Sequence, residues 1–174
     1  MIRVYNWVDR KFDLNLPVWM WQNLLERLRG TPARVEDRVR AWPRELLTRR
    51  VNDKWSVQER VGHLLDVEPL WWGRLDDFDA GAETLRPADM SNLKSVEANH
   101  NAASLEQLFK DFRAARAAFV RRIENYDEAA ALRTGLHPRL KTPIRVIDHI
   151  TFVCEHDDHE LAKMAETISI LHEQ

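Results

Sequence analysis

The sequence predicts an all-α protein, a four-helix bundle with one long crossover connection, and three observations carry that expectation. Apolar residues recur at steps of three and four over long stretches, the spacing of one helix face, and no convincing strand-type alternation appears. Two runs, Ser56-Val57-Gln58-Glu59 and Ser104-Leu105-Glu106-Gln107, read as capping boxes that open helices. A polar stretch from Ala80 to Ala103, carrying Gly81, Pro87 and Asn residues near its end, supplies the crossover. Four major helices, one long connection and no sheet leave a bundle as the simplest closed architecture.

The first helix is expected from Pro17 to about Arg29, where Gly30 stops it, and Thr31 as N-cap with Pro32 at the first helical position restarts a helix. A short helix around Pro43 to Leu47 precedes the turn Val51-Asn52-Asp53-Lys54. The Ser56 box opens a second long helix to about Asp79, with Val57, Val61, Leu64, Leu65, Trp72 and Leu75 on one face. Pro69 should kink it, because proline has no N–H to bond back to Leu65. From the Ser104 box a third helix runs to about Tyr126, its Leu105, Leu108, Phe112, Ala115, Phe119 and Ile123 alternating in steps of three and four. Arg133 to Lys141 reads as a rigid loop, with a pocket rim that meets an anionic substrate as the functional alternative. Thr142-Pro143 then starts the last helix, running to about Leu171.

Composition narrows the function classes. The 174 residues fit one domain, 1–174, with 1–16 as an N-terminal extension, and 44% hydrophobic content supports a real core. A formal charge of −2, with arginines spread among acids, disfavours nucleic acid as a partner. Cys154 is the single cysteine, so a disulfide and cysteine zinc motifs are excluded. No apolar run approaches the ~20 residues that span a bilayer, and the start Met1-Ile2-Arg3-Val4-Tyr5-Asn6-Trp7 lacks a signal-peptide pattern. A cytoplasmic location without membrane partners is the resulting expectation.

Metal ligands in a bundle come from facing helices, and here they must be imidazole or carboxylate. The second helix offers His63; the last offers Glu155-His156-Asp157-Asp158-His159-Glu160. At about 100° per residue, Ile150, Leu161, Met164 and Ile168 define the core direction, and His149, Val153, His156 and Glu160 form an adjacent stripe. His156 and Glu160 are one turn apart on one face and can grip one ion; His159 points further towards solvent. His63 shares a flank with Val67 and Leu70, where a pocket between helices could lie. Two His and one carboxylate make three protein ligands, the count of an open, reactive site, and also resemble an iron(II) triad. The zincin pattern is missing, since His159-Glu160 is followed three residues later by Lys163. The competing reading is bland: helical histidines are commonly surface or hydrogen-bonded groups. Glu68 and Asp157 fall in apolar stripes, so each should be paired or protonated. Asp157 is also a candidate to orient a ligand imidazole. Trp55, Trp71 and Trp72 read as core ahead of an aromatic substrate box.

Lys54-Trp55-Ser56-Val57-Gln58-Glu59-Arg60-Val61-Gly62-His63-Leu64, Val153-Cys154-Glu155-His156-Asp157-Asp158-His159-Glu160-Leu161-Ala162 and His137-Pro138-Arg139-Leu140 together resemble the DinB/YfiT-like family of bacterial helical bundles, from Pro17 to about Ile170. That resemblance implies a four-helix bundle, frequent homodimers and a divalent metal ion (zinc, nickel or iron) held by three His. Carried over, His63 is the first ligand and His156 the second. The family's third ligand is a His four residues after the second, and this chain has Glu160 there, with His159 beside it. Three options follow: Glu160 binds, His159 moves in, or metal affinity has been lost. The resemblance further implies a metal-dependent transferase or hydrolase acting on a small-molecule substrate, with a low-molecular-weight thiol such as bacillithiol or mycothiol as co-substrate. A non-catalytic stress-associated bundle that binds a small ligand is the alternative.

Overall fold

The computed structural model describes residues 3–173; Met1 and Ile2, at the start of the expected extension, and Gln174 lie outside the described residues. The helices are α1 (Trp21–Arg40), α2 (Arg44–Leu47), α3 (Val57–Asp66), α4 (Glu68–Asp79), α5 (Leu93–Glu97), α6 (Leu105–Ile123), α7 (Glu128–Ala131) and α8 (Val146–His172). An antiparallel hairpin, β1 (Thr134–His137) with β2 (Thr142–Arg145), precedes α8. The bundle consists of α1, the α3–α4 pair, α6 and α8, with α1 and α3 each packing on both α6 and α8. Its one long crossover, between α4 and α6, carries α5 and a single turn at His100–Ala102.

Three features depart from the expected elements. First, α1 runs unbroken through Gly30 and Pro32, so Thr31 is an interior residue and no N-cap. Leu24, Leu25, Leu28, Thr31, Pro32, Val35 and Val39 are all buried, one continuous helical stripe. Burying that face outweighs about 1 kcal/mol for glycine and about 3 kcal/mol for proline in a helix interior. Second, Pro69 does more than kink: α3 ends and α4 begins at Val67. The break rotates the following face, so Trp71 is buried and Trp72 is exposed, stacked under Arg122 at 4.8 Å. Third, the segment read as a loop and helix start is the hairpin, with Gly135 opposite Ile144 and His137 opposite Thr142. Four-residue strands and a proline in β2 hide it from a periodicity reading. The crossover braces it, for Leu85 N–H donates to Leu136 O (3.0 Å) and Leu136 N–H to Glu83 O (2.9 Å). A Cβ on Gly135 would lie 2.8 Å from Leu85 Cδ2, so a side chain there would push Leu85 out of its place.

Both serine caps form, but only one box closes. Ser56 accepts from Glu59 N–H while Glu59 accepts from Ser56 N–H. Ser104 accepts from Gln107 N–H, and Gln107 turns to Asp111 instead. The last helix starts at Val146, where Asp148 accepts from Arg145 N–H (2.9 Å) and from its guanidinium (2.7 Å).

Two apolar clusters fill the bundle, one containing Leu28, Trp71, Phe119 and Cys154, the other Val35, Leu64, Phe112 and Leu161. A polar layer lies between them, with one residue from each bundle element: Thr31, Glu68, Arg116 and Asp157. Arg116 Nη2 reaches Glu68 Oε1 (2.6 Å) and Asp157 Oδ1 (3.1 Å), its Nη1 bonds Asp157 Oδ2, and Thr31 Oγ1 lies 2.9 Å from the same Oδ2. The two acids in apolar stripes are therefore paired. Burial nonetheless pushes the Glu68 carboxyl up, with Arg116 opposing.

The N-terminal segment is a strap along α8. Arg10 pairs with Glu155 (2.5 Å), Val4 N–H donates to Glu166 Oε1 (3.1 Å), and Trp7 and Phe12 pack on Phe152 with ring centres 4.9 Å away. No described helix is long and apolar enough to cross a membrane.

Candidate metal centre

The packing of α3 on α8 brings His63, His156 and Glu160 together. Each is buried, and one donor atom from each lies within 4.8 Å of the other two. The Nε2 atoms of His63 and His156 are 3.3 Å apart. The flank His63 shares with Val67 and Leu70 does face a cavity, of about 800 Å³.

The hydrogen-bond chain behind His63 decides its tautomer. Ser95 Oγ donates to Asp66 Oδ2 (2.9 Å), so its oxygen accepts from His63 Nδ1–H (3.1 Å). Asp66 also accepts from His100 Nε2 (2.7 Å) and pairs with Lys94 (3.4 Å). His63 Nε2 is left as a bare lone pair aimed at His156. Two lone pairs cannot face each other at that range, so a proton on His156 Nε2 or a cation must lie between the rings. Burial holds His63 down at about 4, with the charge of His156 adding, and lowers His156 against Glu160 and Asp157. Both rings are neutral at pH 7. Burial raises the Glu160 carboxyl, but Arg60 and the two imidazoles outweigh it and the net shift is downward. Arg60 Nη1 holds Glu160 Oε2 at 2.8 Å, and Oε1 makes no hydrogen bond among the described residues. Two neutral imidazoles and a carboxylate with a free oxygen fit a divalent ion without further deprotonation.

The remaining candidates are placed elsewhere. His159 is buried, contrary to its expected solvent-facing direction, because the strap lays Trp7 over it with ring centres 5.5 Å apart. It is not one of the three convergent residues. Asp157 bonds Arg116 and Thr31 and reaches no imidazole, so it does not orient a ligand ring. His149 is fully buried with Nε2 3.2 Å from Trp71 O, a tie between α8 and α4, and burial drives it down to about 3. Trp55 and Trp71 line the cavity with Trp7, although Trp71 also belongs to the core. Of the two readings of Arg133 to Lys141, the rim is the one seen: His137, Pro138, Arg139 and Lys141 border the cavity.

The sequence reading missed Trp7, Arg60, Ser95 and the Asp66–His100 pair as parts of this site. One signal was available. A Cβ on Gly62 would lie 2.1 Å from the His100 ring, so a glycine in the middle of α3, beside His63, marks where the crossover presses in.

Comparison with known proteins agrees with this architecture. YfiT from Bacillus subtilis, described as a probable metal-dependent hydrolase with an unusual four-helix bundle topology, superposes with a TM-score of 0.77 at 16% identity over 94% of each chain. No curated protein matches significantly. The sequence profile of the DinB superfamily matches residues 18–164, and the chain belongs to that superfamily.

Proposed function

We propose that this chain is a metal-dependent enzyme in which His63, His156 and Glu160 hold one divalent ion. The observation that carries the reading is the pair of Nε2 atoms at 3.3 Å, one of them a bare lone pair by its own hydrogen-bond chain, with a buried carboxylate in reach. The description of YfiT as a probable metal-dependent hydrolase supports it from a relative of the same fold.

Such an ion supplies Lewis acidity, which brings the pKa of a water or thiol nucleophile towards neutrality. The protein's own groups do the rest. Ser95 and Asp66 fix the His63 ring in one tautomer and one direction, and Arg60 keeps Glu160 ionised and pointed inward. Trp7 and Trp71 flank His156 edge-on at 5.1 and 5.4 Å, and Trp55 covers His63 at 4.8 Å, so indole rings wall the two imidazoles and hold them in place. The wall opposite supplies room for a small organic substrate. A hydrolase uses water there, and a transferase uses a low-molecular-weight thiol.

The test is metal content, measured by plasma mass spectrometry on the purified chain and on His63→Ala/His156→Ala. The reading expects about one divalent ion per chain in the first and none in the second; equal content would falsify it. Hydrolysis and thiol-conjugation screens before and after chelation then separate an enzyme from a ligand-binding bundle, since only the enzyme loses its signal with the ion.

A further inference from the structure

One wall of the cavity carries two arginines that no carboxylate pairs with directly; the nearest acid to Arg74, Asp77, is held by Arg86 (2.7 Å). Arg74 is 1% exposed, and it bonds only Arg86 O through Nε (3.2 Å) and meets His137 Nε2 through Nη1 (3.2 Å). Arg139 has a buried Nη2 with no partner. Neither arginine forms an ion pair among the described residues. The acids that line the cavity are all engaged: Asp66 by His100, Glu160 by Arg60, and Asp89 by the N–H groups of Ser91 and Leu93. Burial lowers both guanidinium groups, Arg74 to about 10 with the charge of Asp77 opposing and that of Arg139 adding.

The imidazole between them sharpens the point. The backbone N–H groups of Arg139 and Leu140 both aim at His137 Nδ1 (3.3 and 3.2 Å), which makes that atom the acceptor and leaves the proton on Nε2. His137 Nε2–H and the Arg74 guanidinium are then two donors facing each other at 3.2 Å. Trp71 Nε1–H, on the same cavity, is a further buried donor without an acceptor. Buried donors are satisfied in nearly all proteins, and a cluster of them at one cavity wall calls for an acceptor that enters with a ligand.

We propose that this wall is a subsite for the carboxylate of a small organic acid, received by Arg74, His137 and Arg139. The body of the acid lies on an apolar floor, because the Phe152 ring is 5.3 Å from the His137 ring and 5.6 Å from the Arg139 guanidinium, and Arg74 sits 5.8 Å from the Trp71 ring. Trp71 in turn touches His156 at 5.4 Å, so one indole separates the carboxylate end from the three convergent donors. The inference names a substrate class for the proposed enzyme and rests on that reading only for what happens at the other end of the molecule.

The experiment is a titration of the chelator-treated protein with 3-phenylpropionate, 3-phenylpropionamide and phenyl phosphate, followed by tryptophan fluorescence and calorimetry. The acid should bind saturably and at least about tenfold more tightly than the amide, both in the native chain and in His63→Ala. Arg139→Gln, at the half-buried rim, should abolish the preference for acid over amide while the melting temperature holds. Arg74→Gln should do the same if it folds, and Arg139→Gln decides the matter if it does not. Equal binding of acid and amide, an unchanged preference in Arg139→Gln, or no saturable binding of the acid would overturn the proposal. Tighter binding of the phosphate ester would overturn the carboxylate assignment. Binding of the acid only after metal is restored would place its carboxylate on the ion, and would overturn the subsite while leaving the metal reading intact.

Discussion

Nε2 of His63 lies 3.3 Å from Nε2 of His156, although 93 positions separate them in the chain. Ser95, from the crossover, fixes the proton of His63 on the far side of its ring. The bundle thus spends three separate segments on presenting one lone pair to another imidazole, an arrangement that a packing role does not require.

Ser95→Ala removes the acceptor for His63 Nδ1–H and frees the ring to rotate. Loss of such outer partners typically costs 10- to 100-fold in metal affinity. Competition with a chromophoric chelator should show that loss, while the melting temperature shifts little, since Ser95 belongs to the small α5 and not to the bundle core. Unchanged affinity would mean that the chain behind His63 is incidental.

Gly62→Ala should act on the same chain from the other side. The added methyl group overlaps the His100 ring, which must move away from Asp66. Affinity for metal should fall together with protease resistance of the crossover near His100. A variant with native affinity and an intact crossover would show that the contact is slack.

Arg116 holds Glu68 and Asp157 in the layer between the two apolar clusters. Arg116→Met leaves two buried carboxylates without a counter-charge and should cost about 3–5 kcal/mol in urea unfolding. Replacing all three charged residues with apolar ones should recover most of that loss. A cost below about 1 kcal/mol for the single variant would contradict the pairing.

Burial holds the His149 ring at about 3, well below its unfolded value of 6.5. The unfolded chain therefore binds the proton first as pH falls. The stability tied to neutral His149 is complete above pH 6.5 and is lost progressively from there down towards pH 3, by up to about 1.4 kcal/mol per pH unit. His149→Gln should flatten that slope in metal-free protein, measured as urea midpoints between pH 7 and 4.5. An identical slope in both proteins would refute it.

The helical scaffold was legible because its forces are local and periodic. Capping serines and steps of three and four located the start of α3 and both ends of α6 to within a few residues, and the periodic run placed the end of α8; the break at Val67 and the hairpin ahead of Val146 escaped them. Gly30 and Pro32 misled because local propensity pointed one way and burial of the face from Leu24 to Val39 pointed the other. The spacing of His156 and Glu160 put them on one face, and the structure brings His63 to that face. Arg60, Ser95 and Trp7 were out of reach of such reasoning. Arg60 sits one turn from His63 on α3, but nothing in that helix names Glu160 as its partner; Ser95 and Trp7 join from the crossover and the strap, whose placement is set only once the chain is folded.

The most direct measurement is an anomalous diffraction map from crystals of the metal-loaded chain, recorded on either side of the ion's absorption edge. A metal held by the three residues gives a single strong peak about 2.0–2.2 Å from Nε2 of His63, Nε2 of His156 and an oxygen of Glu160. A peak bound to His159 in place of Glu160, or no peak between the two rings, would contradict it.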